Sequence, residues 1–307
     1  MKMYANLHTH SNHSDGRYSP TELAHVTKKE GYGAVVLTDH DTVSGCAELA
    51  AECEKLGIET VVGVELNTPS ELLKNQPQGL PDSHVISQFH IVGLDFDPEY
   101  PPMKEYLAYV CKRKTEITHQ LVDNAIKAGR LRGIEWEEIV EYSQKAGKPW
   151  ISGSQTKAAL VAKGIVESSD FKFLAQNIFG QYMKDAVEPF PYKPEHEIIK
   201  LIRDAGGIAV IAHPHMQIFC LDALVEMGIN GIETSHHTLT EEESVIAYKY
   251  AIEKNLFISG GCDHSGLCSG YYPEDGNETK HPLYAPYCHY GASKVHFEEI
   301  KTRKLMR

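Results

Sequence analysis

Histidine occupies 17 of the 307 positions, and it is the commonest metal ligand among the side chains. Placement matters more than number. His8-Thr9-His10 is followed five residues later by Asp15-Gly16, and Thr38-Asp39-His40-Asp41 sets an imidazole between two carboxylates. Glu65 ends an apolar run, His90 lies inside another, and His213-Pro214-His215 and Asp263-His264 each follow one. Residues two apart on a strand share a face, so His8 and His10 can grip one ion. Imidazoles mixed with carboxylates suit Zn²⁺, Mn²⁺ or Fe²⁺ better than Ca²⁺ or Mg²⁺, which prefer all-oxygen cages. The nine donors His8, His10, Asp15, His40, Glu65, His90, His213, Asp263 and His264 exceed the needs of one cation. Two or three divalent ions would share them, with a carboxylate as bridge. A lone histidine at a strand end is ordinarily a core or capping residue. Recurrence at successive strand ends is what points to metal. Asp39 and Asp41 either orient His40 through its second ring nitrogen or, for Asp41, open the following helix.

The elements that must carry these groups alternate. Tyr4 to Leu7 reads as a strand ending at His8. Ser19-Pro20-Thr21-Glu22 combines an N-cap serine, a proline at the first helical position and a glutamate three residues on, the signature of a helix start. That helix stops near Gly31. A strand over 34–37 leads to His40, a helix over 44–56 stops at Gly57, and a strand over 60–64 ends at Glu65. This β-α-β-α-β order predicts a parallel sheet with crossover helices, whose chemistry sits at the strand C-termini. A strand over 84–96 contains His90. Residues 100–189 then read as a helical insert without strands. The α/β rhythm resumes with a helix over 194–205 and a strand over 208–212 ending at His213. A short helix over 221–227, a strand over 231–233, a helix over 240–254 and a strand over 256–259 follow, the last leading to Asp263. A long loop over 267–291 and a final helix over 293–305 complete the chain.

Composition bounds the function classes. Hydrophobic residues make up 42 % and charged residues 23 %, which excludes disorder and disulfide-dense miniature domains. The net charge of −12 argues against coating nucleic acid or an anionic membrane by bulk charge, so no extended nucleic acid is expected as partner. No run of about 18 apolar residues exists to span a membrane, and the N-terminus has no apolar signal region. The seven cysteines form no C-x-x-C pair, so a cysteine-type zinc site is not expected, and the reducing cytoplasm is the expected location. The sequence carries no signal for oligomeric state.

Taken together, His8-Thr9-His10 through Asp15-Gly16, Ser19-Pro20-Thr21-Glu22-Leu23, Thr38-Asp39-His40-Asp41-Thr42, Gly63-Val64-Glu65, His90-Ile91-Val92-Gly93, Ala212-His213-Pro214 and Gly260-Gly261-Cys262-Asp263 resemble the PHP (polymerase and histidinol phosphatase) superfamily. The helical insert is similar to that of the subgroup with nucleoside 3′,5′-bisphosphate phosphatases and small-RNA 5′-exonucleases. The resemblance implies a distorted (β/α)₇ TIM-like barrel (residues 1–99 and 190–307) with an inserted helical subdomain (100–189). It also implies phosphoester hydrolysis at a trinuclear centre. By motif, one ion takes His8, His10, Glu65 and Asp263. A second takes Glu65 as bridge with His90 and His213. A third takes Asp15, His40 and a histidine of the last motif.

Two departures stand out. The family reads Asp-x-His where this chain has Asp263-His264-Ser265. Ser265 occupies the ligand position, so the third site is expected to be weak, to use His264 after a backbone shift, or to borrow His215 or His237. The subgroup's R-x-x-R stripe for substrate phosphate is also absent. Thr115 and Thr118 stand there, preceded by Lys112, Arg113 and Lys114, and the later Arg-x-x-His motif is replaced by Gly153-Ser154-Gln155-Thr156.

The chemistry such a centre supplies is hydrolysis by a metal-activated hydroxide, with the ions neutralising charge on the phosphoryl oxygens. His215 or His237 is expected to protonate the leaving oxygen, and Arg17 to contact a substrate phosphate. The expected substrate is a phosphomonoester of a small metabolite or nucleotide. The competing readings are a 5′–3′ exonuclease on short oligonucleotides, supported by Lys145, Lys148, Lys157 and Lys163 of the insert, and a non-catalytic metal-binding regulator.

Overall fold

The computed structural model describes residues 3–16, 18–70, 72–75, 88–145, 150–167, 170, 172–215, 217–263 and 290–306. Strand β1 (Ala5–Thr9) pairs in parallel with β2 (Ala34–Leu37), Ala5 opposite Ala34. Helix α1 (Pro20–Glu30) crosses between them. Its capping box is complete: Ser19 Oγ accepts the Glu22 N–H, and the Glu22 carboxylate accepts the Ser19 N–H at 2.9 Å. Pro20 stands where its missing N–H costs nothing. Helix α2 (Cys46–Leu56) packs against α1 and closes β2 off from solvent through Leu49 and Cys53.

The other strands form one sheet in chain order: β3 (Gly63–Pro69), β4 (Gln88–Leu94), β5 (Ile208–Ile211), β6 (Gly231–Ser235) and β7 (Phe257–Gly260). Here two expectations change. The third strand does not occupy 60–64; it begins at Gly63 and runs on to Pro69, so Glu65 stands within it. The reason is β4, which pairs along its whole length, Glu65 opposite Val92 and Asn67 opposite His90. That pairing is antiparallel, as is β4 with β5. No α-helix joins β3 to β4 among the described residues, so the connection imposes no parallel crossover. The parallel order therefore holds for β1–β2 and β5–β7 and breaks at β4. The fold is mixed α/β, with seven strands among the described residues in two sheets rather than one closed ring. The sheets meet at two seams. His40 forms a parallel bridge to Glu65, and the Asp263 N–H donates to the His8 carbonyl at 2.9 Å.

Between β4 and β5 lie α3 (Pro101–Lys127), α4 (Trp136–Lys145), α5 (Gly153–Ala162) and α6 (Lys172–Asn177), with no strand among the described residues. They share an apolar cluster of their own, including Leu121, Ile139, Leu160 and Ile178. Helices α7 (Glu195–Asp204), α8 (Leu221–Glu226), α9 (Glu241–Glu253) and α10 (Lys294–Thr302) accompany the later strands. The largest cluster unites Leu66, Ile91, Ile211 and Ile232 with Ile198 and Ile202 of α7. Another gathers Leu7, Val36, Val92 and Val210 with Phe297 of α10. Each fully buried side chain of this size contributes about 1.5–3 kcal/mol, which anchors the strands from whose ends the polar groups project. No described helix is long and apolar enough to cross a membrane.

Candidate metal centre

One carboxylate, Glu65, organises the strand ends. It is fully buried, and five imidazoles surround it at hydrogen-bond range. Its Oε2 lies 3.3 Å from His8 Nε2, 3.2 Å from His10 Nε2 and 3.2 Å from His40 Nδ1. Its Oε1 lies 2.9 Å from His90 Nδ1 and 3.3 Å from His213 Nε2. Asp263 Oδ1 reaches His10 Nε2 at 3.0 Å and His8 Nε2 at 3.6 Å. Asp15 flanks the far side, 3.6 Å from His10 Nδ1 and 3.9 Å from His40 Nε2. These atoms fall into groups compact enough for one cation each: His8, His10, Glu65 and Asp263; Glu65, His90 and His213; and His10, Asp15 and His40.

Backbone detail brings the groups this close. A Cβ on Gly261 would stand 2.4 Å from the His8 nitrogen, and one on Gly16 would stand 2.3 Å from the His10 carbonyl oxygen. Asp263 and His213 both adopt positive φ, 47° and 28°, a conformation that costs a non-glycine residue energy and clusters at functional sites. Asp39 ties down the 11–16 turn, accepting the Ser11 N–H at 2.7 Å and the hydroxyls of Ser11 and Ser14 at 2.6 Å. Asp41 instead pairs with Lys114 of α3. Neither carboxylate bonds the His40 ring.

Three observations fit these residues to divalent cations. His8 Nε2 and His10 Nε2 face each other at 3.2 Å, an approach that a shared cation relieves. Glu65 Oε2 and His40 Nδ1 are buried and lack a well-formed hydrogen bond, although buried polar atoms normally have one. The donor set is all imidazole and carboxylate, a mixture that suits zinc, manganese and iron. Without cations, protons take their place. Burial works against charge on His8 and His10, yet Glu233, Glu65 and Asp263 around the first, and Asp15, Asp263 and Glu65 around the second, raise both well above the ordinary histidine range. Burial likewise opposes charge on Glu65 and Asp263, and the surrounding histidines hold both well below the usual carboxylate range. For His40 burial prevails over Glu65 and Asp15 and lowers it.

Two functional residues escape the motif reading, Glu233 and His236. Glu233, fully buried within β6, accepts from His8 Nδ1 at 2.8 Å and from the His213 N–H at 2.6 Å. It therefore fixes the His8 tautomer with Nε2 turned to the centre, as a ligand's outer partner does. His236 accepts the Thr238 N–H at Nδ1 (3.2 Å), which leaves Nε2 to carry the proton toward Asp263 Oδ2, 3.6 Å away. The available signal was an acid closing an apolar strand, the same signal that singled out Glu65.

The other expected residues are distributed as follows. His215 is half-buried, with Nδ1 2.9 Å from Glu243 Oε2. His237 packs on His236 with ring centroids 4.4 Å apart, and burial, then His236, push it down to about 4. Arg17, His264 and Ser265 lie outside the described residues.

The PHP domain profile matches residues 6–255. The chain belongs to the PHP domain family. Two relatives align with it over nearly their whole length. A 5′-3′ exoribonuclease of Haemophilus influenzae is 32 % identical over 85 % of this chain and 90 % of its own. A 3′,5′-nucleoside bisphosphate phosphatase of Chromobacterium violaceum is 29 % identical over 91 % and 93 %. A solved structure from Bifidobacterium adolescentis superposes with a TM-score of 0.74 at 22 % identity, covering 98 % of this chain and 96 % of its own; it supports the fold. This PHP protein is an enzyme, a metal-dependent phosphoric ester hydrolase.

Proposed function

We propose that this PHP protein hydrolyses a phosphomonoester of a small metabolite or nucleotide, using two or three zinc, manganese or iron ions. The seven strands would act as a distorted barrel, with residues 100–189 as an inserted helical subdomain. The observation that carries the reading is Glu65, one buried carboxylate ringed by His8, His10, His40, His90 and His213. When bound, the ions supply hydroxide near neutral pH and positive charge opposite the phosphoryl oxygens. His8, His10, Glu65 and Asp263 would hold one ion, Glu65, His90 and His213 a second, and Asp15, His10 and His40 a third, with Glu65 as bridge. Glu233 keeps His8 Nε2 aimed inward. We assign His215 to protonating the leaving oxygen, because Glu243 holds its Nδ1 and leaves Nε2 as the free edge of the ring; His237 is the alternate donor.

Two features favour a small substrate: the net charge of −12 and the engagement of Lys114 by Asp41. A second reading, 5′–3′ removal of nucleotides from short oligonucleotides, draws on the exoribonuclease relative. The test is phosphate or nucleotide release from an aryl phosphate, AMP, a 3′,5′-bisphosphonucleoside, histidinol phosphate and a 5′-phosphorylated trinucleotide, each with Zn²⁺, Mn²⁺ and Fe²⁺. Release from small esters alone supports the phosphatase. Preferential trimming of the trinucleotide replaces it with the exonuclease.

A further inference from the structure

The three donor groups differ in what holds them. His8, His90 and His213 take their places from strands and from Glu233. Asp15 sits in the 11–16 turn and His40 in the segment after β2, and both are reached, one residue away, from the helical segment between β4 and β5. On α3, Lys114 Nζ donates to Asp41 Oδ2, next to His40. The ammonium also lies 5.0 Å from the Trp150 ring centroid and 5.2 Å from that of Tyr192, a placement that favours a cation. Asp41 is fully buried at φ 57°, and its N–H donates to the Glu65 carbonyl at 2.9 Å. It is thus fastened to β3 by its backbone and to α3 by its side chain.

The other contact comes from α5. Gln155 Oε1 accepts the Ser152 N–H at 2.9 Å and the Ser152 hydroxyl at 2.7 Å. This leaves Nε2 as the donor, and it bonds the carbonyl of Ser14, next to Asp15. The two contacts are coupled, because Thr115, adjacent to Lys114, accepts the Ile151 N–H at 3.0 Å just ahead of the α5 cap.

We propose that the helical segment governs occupancy of the His10–Asp15–His40 cation position, with Lys114 and Gln155 as positioning residues. This rests on the metal-binding reading above. Without Lys114, Asp41 is a buried carboxylate with no cation, and such a group is expelled toward water. That movement carries His40 away from Glu65. Without Gln155, the Ser14 carbonyl and the turn bearing Asp15 lose their anchor.

The experiment uses the full chain stripped of metal. Lys114→Met and Gln155→Leu are made singly and together, Lys114→Arg as the charge-retaining variant, and Arg130→Met as a control. Arg130 holds Asp185 at 2.6 Å within the same helical segment. Zn²⁺ is counted after equilibrium dialysis, and amide exchange is read at 12–16 and 38–42 in the metal-free protein. The expected result is one equivalent weakened about 10–100-fold in affinity, the rest unchanged, and faster exchange in both segments. Lys114→Arg should restore the lost equivalent and Arg130→Met should keep all of them. Full occupancy in the double variant, loss of every equivalent together, or the same selective loss in Arg130→Met would overturn the proposal. A wild-type chain that takes up no Zn²⁺ would overturn the metal reading as well. Neither readout needs turnover, so a substrate panel without phosphate release leaves this test intact.

Discussion

His8 and His40 both face Glu65, yet they are held by unlike means. His8 lies in β1, its ladder, its tautomer and its neighbour Gly261 all set by the strand ends. His40 follows β2 in a short bridge, and its neighbour Asp41 takes its side-chain support from Lys114 of α3, 73 residues on. The strand-borne half is built into the core, and removing it means removing the fold. The loop-borne half depends on a buried ion pair, which is costly to break and leaves the core intact. A centre assembled this way can lose one cation position and keep the others.

The predictions test that contrast, beginning with the substitution that erases it. Glu65→Gln removes the charge common to both halves. It should abolish stable metal uptake and reduce kcat/KM by about 10³-fold or more, several kcal/mol of transition-state stabilisation. Metal analysis and steady-state phosphate release check this, and wild-type metal content would contradict it. His215→Asn leaves both halves in place and should lower kcat by about 10²-fold. An aryl phosphate, whose leaving group needs no proton, should lose far less than an alkyl ester, and equal losses would remove His215 from the acid role. Glu233→Gln acts on the strand-borne half alone and should weaken metal affinity about 10–100-fold, measured by chelator competition; the Lys114 and Gln155 variants should show the complementary pattern. Gly261→Ala forces a Cβ against His8 and should cost about 1–3 kcal/mol of stability, read as a shift in the denaturation midpoint. The gentlest probe is pH. Acidic neighbours raise His8 and His10 well above the ordinary histidine range in the metal-free state, so adding metal should release protons into unbuffered solution. Affinity should rise as pH rises and competition from protons fades. A titration with no acidification would show that these rings are already neutral.

The strand-borne half was the more legible in sequence. H-x-H places two rings on one face whatever the fold, and an acid or histidine closing an apolar run is visible without knowing its partners. Glu233 carries that same mark, but no familiar motif surrounds it. His236 was hidden by its neighbour, since two adjacent histidines in a loop offer no local cue to which one points inward. The antiparallel turn at β4 was not legible, because an apolar run reads alike in either direction and only its pairing with β3 decides. The contacts from α3 and α5 lay furthest from view. Lys114 in a charged helix looks like any solvated lysine, and its partner Asp41 could be found only in three dimensions.

One neighbour of the centre stays out of its chemistry. Cys262 precedes Asp263, and the Asn6 amide donates to its sulfur, which favours the thiolate; burial outweighs this and pushes the thiol up to about 12. A sulfur that keeps its hydrogen at physiological acidity offers no thiolate to soft ions such as cadmium or mercury. Toxic thiophilic elements must then compete on imidazole and oxygen alone, where their advantage is least, so the burial of this thiol guards the enzyme against poisoning.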